Sequence, residues 1–177
     1  MTHGLAALAR WYHRDRMACG GHRHRWQPGV AVFLLLWFAV SGGAAGDGLA
    51  VAELKVGDRT LMVEIAATRE AMSRGLMFRD HMPADHGMLF VWPSERRVAM
   101  WMKNTRLPLS VAFIDDEFRI LNIADMEPHS LQPHSSRGPA RFALEVNQGW
   151  FARNGVEVGL RIADLARLMD DSPAASD

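Results

Sequence analysis

Hydrophobic and polar positions divide the chain into two stretches of different character. The first ends in an unbroken apolar run, Val30 to Val40, with no charge in it. From Ala50 onward the apolar residues come instead in short groups separated by turn formers. Val51 to Val56 and Leu61 to Ile65 alternate in part with the two-residue period of a strand, and Gly57-Asp58-Arg59 between them suits a hairpin turn. Thr68 to Gly75 predicts a short helix, with Thr68 as N-cap, Glu70 near the positive end of the dipole and Gly75 as a left-handed stop. Ala71, Met72 and Leu76 would face the core.

Four strands are predicted next: Gly87 to Trp92, Val98 to Lys103, Val111 to Asp115 and Arg119 to Ala124. The polar Asp115-Asp116-Glu117 makes the last two a hairpin. Pro128 to Pro139 holds three prolines and no periodicity, the mark of a surface loop. A strand over Arg141 to Val146, a short helix over Gln148 to Asn154 stopped at Gly155, and a last strand near Arg161 to Ala163 complete the series. The tail from about Asp170 reads as disordered. Many short strands with only two short helices, not regularly interleaved, predict a mainly β fold, a compact β-sandwich or closed barrel.

The first stretch reads as an address. An apolar run of eleven residues fits the core of a secretory signal and is too short to cross a bilayer as a helix. Arg10, Arg14, Arg16, Arg23 and Arg25 precede it, and Ser41 to Gly46 supplies small residues for cleavage after Ala45 or Gly46. The basic region is long, and Met17 makes a more ordinary start than Met1. Residues 1–45 are therefore expected to be a signal peptide and the mature protein to be periplasmic or secreted, touching the membrane only if the signal stays uncleaved. The 132 residues from 46 to 177 have the size of one domain.

Composition narrows the chemistry. Cys19, the only cysteine, leaves with the signal, so the mature domain has neither thiol nor disulfide. It keeps 15 basic and 19 acidic residues, a net charge of −4, which gives no electrostatic case for nucleic-acid binding. No Gly-x-Ser-x-Gly elbow is present. His81 with His86, and His129 with His134 near Glu127, are loop residues at spacings that zinc sites do not favour, so no metal or cofactor is expected.

Several segments carry a family resemblance: Arg74 to Arg79, Gly87 to Phe90, Trp101-Met-Lys-Asn-Thr105 with Pro108-Leu109, Phe113 to Asp115, and Leu144 to Gly149. Through them, residues 50–163 resemble the bacterial and archaeal family called domain of unknown function 192. The resemblance implies a compact β-sandwich similar to jelly-roll folds, often behind a signal peptide, and no established reaction. One position departs from the pattern: the family usually has an acidic residue after Pro-Leu, where this chain has Ser110.

The Trp101 to Thr105 string is also the best site candidate on chemical grounds. Trp101 offers a flat apolar face, Lys103 a cation, Asn104 and Thr105 donors and acceptors. Arg79 adds positive charge from the turn after the first helix. Glu145 is anomalous in a strand otherwise apolar at Phe142, Leu144 and Val146. These six residues predict a ligand-binding site for a small polar envelope molecule. A plainer reading makes Lys103 and Glu145 a structural ion pair and Asn104-Thr105 a turn cap. Two further functions are open. A hydrolase or isomerase acting on envelope saccharides would need a cleft and a carboxylate of raised pKa, best supplied by Glu145. A structural protein that docks an envelope partner would need an exposed apolar patch, for which Trp150, Phe151 and Leu160 are available.

Overall fold

A computed structural model describes residues 48–170. The expected signal over residues 1–45 and the tail beyond Asp170 lie outside the described residues. Eight strands and three short helices follow one another: β1 (Val51–Val56), β2 (Arg59–Ala66), α1 (Arg69–Arg74), β3 (His86–Arg96), β4 (Ala99–Met100), β5 (Leu109–Ile114), β6 (Ile120–Met126), β7 (His134–Ser135), β8 (Ala140–Asn147), α2 (Trp150–Arg153) and α3 (Asp164–Asp170).

Six strands form one mixed sheet in the order β1-β2-β3-β8-β5-β6, and β4 pairs with β7 in a separate two-stranded sheet. The fold is mainly β, as expected, but the large sheet is open and does not close into a barrel. The reason is topological. β2 and β3 are parallel, so the chain must cross over between them, and it does so through α1 and the following loop. β8 then inserts between β3 and β5, antiparallel to both, leaving β1 and β6 as the two edges.

Both faces of this sheet are covered. On the first face Leu61, Val63, Leu89, Ile114, Phe142, Leu144 and Val146 pack with Trp150 and Phe151 of α2 and Leu165 of α3. On the second face Met88, Phe90, Val111, Phe113 and Ala143 pack under the loop residues Leu76, Met82, Met102 and Leu107. Where β3, β8 and β5 lie side by side both faces are covered: Gly87 to Val91 of β3 and all six residues of β5 are buried.

Local signals formed the expected elements where short-range chemistry decides. Gly57 turns the β1–β2 hairpin at φ 59°. The Thr68 hydroxyl accepts the Ala71 N–H at 3.1 Å and caps α1. Gly75 ends that helix at φ 48° and ψ −134°, a region open to glycine rather than the left-handed helical one. The β5–β6 turn is held by Asp115, whose carboxylate accepts the N–H groups of Glu117 and Arg119 at 3.0 and 2.8 Å.

Three expectations need correction. Of the strand predicted over Val98 to Lys103, only Ala99 and Met100 are extended, because Met102 turns inward to cover the second face. Arg161 to Ala163 makes a single bridge with Arg119 rather than a strand, and Ile162 drops into the first core. Among the described residues there are three helices, not two. α3 sets Leu165 into the core, and its Asp164 accepts the Lys55 N–H at 3.0 Å, against edge strand β1.

One contact in the sheet leaves no room for a side chain. A Cβ on Gly87 of β3 would meet the Glu145 carbonyl oxygen of β8 at 2.6 Å. Gly87→Ala is therefore expected to spread β3 from β8 and to destabilise the domain by about 1–3 kcal/mol, measured as a lower midpoint of urea unfolding. An unchanged midpoint would show that the two strands are not held this close.

Candidate functional site

The mixed register places four residues of the second face in one row. Glu64 on β2 is opposite Met88 on β3, Met88 is opposite Glu145 on β8, and Glu145 is opposite Val111 on β5. Two carboxyl groups thus stand two strand spacings apart, roughly 10 Å, with a methionine between them.

Their environments push them in opposite directions. Glu64 receives a two-pronged contact from the Arg79 guanidinium, one arm at 2.7 Å and the other to the second oxygen. Those hydrogen bonds hold its carboxyl below the usual range, burial partly opposes them, and the charges of Arg79 and His86 add to the lowering. Glu145 is 4% exposed, and its carboxyl makes no side-chain hydrogen bond or ion pair among the described residues. Desolvation alone pushes its carboxyl up to about 8, so at neutral pH it is mostly a protonated acid.

The loops above this face are tied to one another. Phe78 N–H donates to the Asn104 carbonyl at 2.9 Å, Met102 N–H to the Ser130 carbonyl at 2.9 Å, and His129 N–H to the Thr105 carbonyl at 3.0 Å. Phe78, Asn104 and His129 all hold positive φ, 64°, 56° and 61°. Each such residue with a Cβ costs energy and persists only where its surroundings hold it. Three of the five large exposed apolar residues lie on these loops: Phe78 (61%), Trp101 (50%) and Leu131 (63%).

The six residues expected to form the site are placed as follows. Trp101 is half exposed, with the Lys103 Nζ 5.4 Å from its ring centroid. Asn104 faces solvent, and its amide reaches the Met77 sulfur at 4.0 Å. Thr105 is buried, its hydroxyl donating to the Lys103 carbonyl at 3.2 Å, so its polar group serves the loop itself. Arg79 sits on Glu64, and Phe78 beside it joins the Trp101 loop. Glu145 lies in the sheet, and no ion pair joins it to exposed Lys103 among the described residues.

Ser110 has a clear structural role. It is 1% exposed, accepts the Gly149 N–H at 2.8 Å and donates to Asp125, its partner across the β5–β6 pair. The apolar patch expected from Trp150 and Phe151 is absent: both are 2% exposed and belong to the first core. No group of three or more His, Cys, Asp or Glu converges among the described residues. Glu64, Phe78 and His129 were missed, since neither the parallel register nor a left-handed backbone leaves a short-range signal.

A family model described as DUF192, an uncharacterised ACR, matches residues 52–163. Among solved structures, the chain is 41% identical to a protein of Sinorhizobium meliloti 1021 described as a candidate transcription regulator. That match covers 62% of this chain and 88% of the other, with a TM-score of 0.58. A protein of unknown function from Novosphingobium aromaticivorans DSM 12444 is 29% identical, covering 80% of this chain and 98% of the other, with a TM-score of 0.62. Among curated proteins, none matches.

The buried acid has a measurable consequence. Glu145 holds its proton more tightly folded than unfolded, so its contribution to stability is fully present below pH 4.5 and is lost as pH rises through about 8. Between pH 5 and 8 the protein should lose on the order of a few kcal/mol of unfolding free energy, and Glu145→Gln should lose much less. Urea unfolding of both at the two pH values decides this; equal losses would show that Glu145 does not titrate in that window.

Proposed function

This chain belongs to the DUF192 family, and we propose that it is an exported binding module taking a small polar ligand on the surface of Phe78, Trp101, Lys103 and Asn104. The observation that carries this reading is the set of three hydrogen-bonded loops held in left-handed backbone at Phe78, Asn104 and His129. Strain of this kind costs about 1–3 kcal/mol at each position. Here it accompanies a half-exposed tryptophan, with Phe78 and Leu131 also exposed on the joined loops, a grouping of apolar surface of the kind that marks interaction sites.

The chemistry of the surface suggests the ligand. Trp101 supplies a flat apolar platform, and Lys103 stands over the same ring as a cation. Asn104 adds an amide beside them. A molecule with one apolar face and several hydroxyl or acidic groups, as an envelope saccharide has, complements this set. Export is supported by the basic flank and apolar run of residues 10–40.

The raised carboxyl of Glu145 meets one requirement of the hydrolase or isomerase reading. It is enclosed between Met88 and Val111, however, and a surface cavity of about 440 Å3 at Ser110 and Phe151 lies on the other face. The Sinorhizobium relative is described as a candidate transcription regulator, but a net charge of −4 over residues 46–177 argues against nucleic-acid binding by this chain.

Titration with soluble peptidoglycan disaccharides, followed by the Trp101 indole resonance, tests the proposal. The indole should shift, and Trp101→Ala should weaken binding about tenfold, or ~1.4 kcal/mol, with its unfolding midpoint unchanged. An indole that stays unmoved across muropeptides and neutral and acidic glycans would remove this surface as the site.

A further inference from the structure

The two edges of the large sheet are treated differently. At β1 the Lys55 N–H is taken by Asp164 of α3, and α3 packs beside the strand. At β6 only the first residue has its backbone engaged from outside the sheet: Ile120 N–H donates to the Leu160 carbonyl at 3.0 Å, and its carbonyl accepts the Gly159 N–H at 2.8 Å, while further along the buried Asn122 side chain donates to the Ser135 carbonyl and accepts the Arg137 N–H. Past Ile120, no hydrogen bond leaves the backbone of residues 121–126 except within the sheet, among the described residues. Every second residue of an edge strand points its N–H and C=O outward, so this stretch is an unfilled template for another strand.

The cavity of about 440 Å3 adjoins that template on the first face, between β6 and the segment after α2. Ile123, Ala124 and Asp125, three successive residues of the edge strand, line it together with Phe151, Val156 and Glu157. Ile123 and Asp125 share the first face, since they stand opposite Ala112 and Ser110. A strand added beside β6 would direct alternate side chains to the same face, towards the cavity.

We infer that the β6 edge and this cavity form a second binding site, which takes an extended peptide carrying a basic side chain by strand addition. The charge pattern selects the occupant. The ionisable residues lining the cavity are Asp125 and Glu157, both acidic and both exposed. Ile123, Val156 and Phe151 offer apolar surface for the methylene stem of a lysine or arginine, whose head then meets the two carboxylates. The nearby Arg153 guanidinium is turned to the Gln148 carbonyl at 3.0 Å. Val158, 56% exposed, follows Glu157 and extends the apolar border. Strand addition supplies affinity through the backbone and leaves specificity to the side-chain pocket.

The test uses the full chain and a six-residue probe peptide of alternating threonine and valine with one central arginine, against the same peptide with glutamate in its place. The arginine peptide should slow amide exchange at residues 121–126 and bind about tenfold tighter than the glutamate peptide. The double variant Asp125→Asn, Glu157→Gln should lose that preference while keeping its unfolding midpoint. Equal binding of the two peptides, or no protection of β6, overturns the inference. Protection that appears without peptide as protein concentration rises also overturns it, because the occupant is then a second copy of the chain.

Discussion

Burial of both faces of β3, β8 and β5 is the constraint on which the rest of the structure depends. A sheet covered on one side can place a carboxylate on the other at no cost. Here the parallel crossover from β2 to β3 puts α1 and its loop on one face, while α2 and α3 occupy the other. Side chains along the covered stretch, Met88 to Val91, Phe142 to Val146 and Leu109 to Ile114, must then enter an apolar layer, and Glu145 enters one between Met88 and Val111. Ionised, it would lack any compensating partner, so it keeps its proton. Glu64, two strands away on the same face, is ionised because Arg79 neutralises it with two hydrogen bonds. One layer thus holds a neutral acid and a paired anion, separated by a methionine.

The elements legible in the sequence are those decided within a few residues. The β1–β2 hairpin, the Thr68 cap and the Asp115 turn each rest on one local chemical choice, and each stands where it was expected. Sheet order is decided by contacts between distant strands. The insertion of β8 between β3 and β5 has no local signature, and a sandwich or barrel expectation missed it. Apolar pattern also misled where it serves coverage rather than extension. Met102 gives Val98 to Lys103 the look of a strand, yet its task is to close the second core from a loop. Trp150 and Phe151 resembled a surface patch only because the core that receives them is assembled from all six strands of the large sheet.

The site was legible in part for the same reason. The string Trp101 to Thr105 stood out by residue type, and the fold presents Trp101, Lys103 and Asn104 to solvent. Arg79 was singled out for its charge, but its partner Glu64 is recognisable only once β2 and β3 are seen to run parallel. Thr105 looked like a ligand contact, whereas its hydroxyl and backbone hold the loop that carries Trp101. Polar residues that support a site and polar residues that form it have the same composition; only the direction of their hydrogen bonds separates them.

The rigid sheet and the strained loops belong to one arrangement. Left-handed backbone at Phe78, Asn104 and His129 would relax if the loops could move independently. They are held by Met102, Leu107 and Leu76, which are locked into the second core, and by backbone hydrogen bonds from one loop to the next. Under the proposed function, a surface fixed in this way would lose little conformational entropy on being occupied, which favours a small ligand touching few atoms. The core under the loops therefore supports the proposed surface, and the two-sided burial that makes Glu145 an uncharged acid also keeps Trp101 in place.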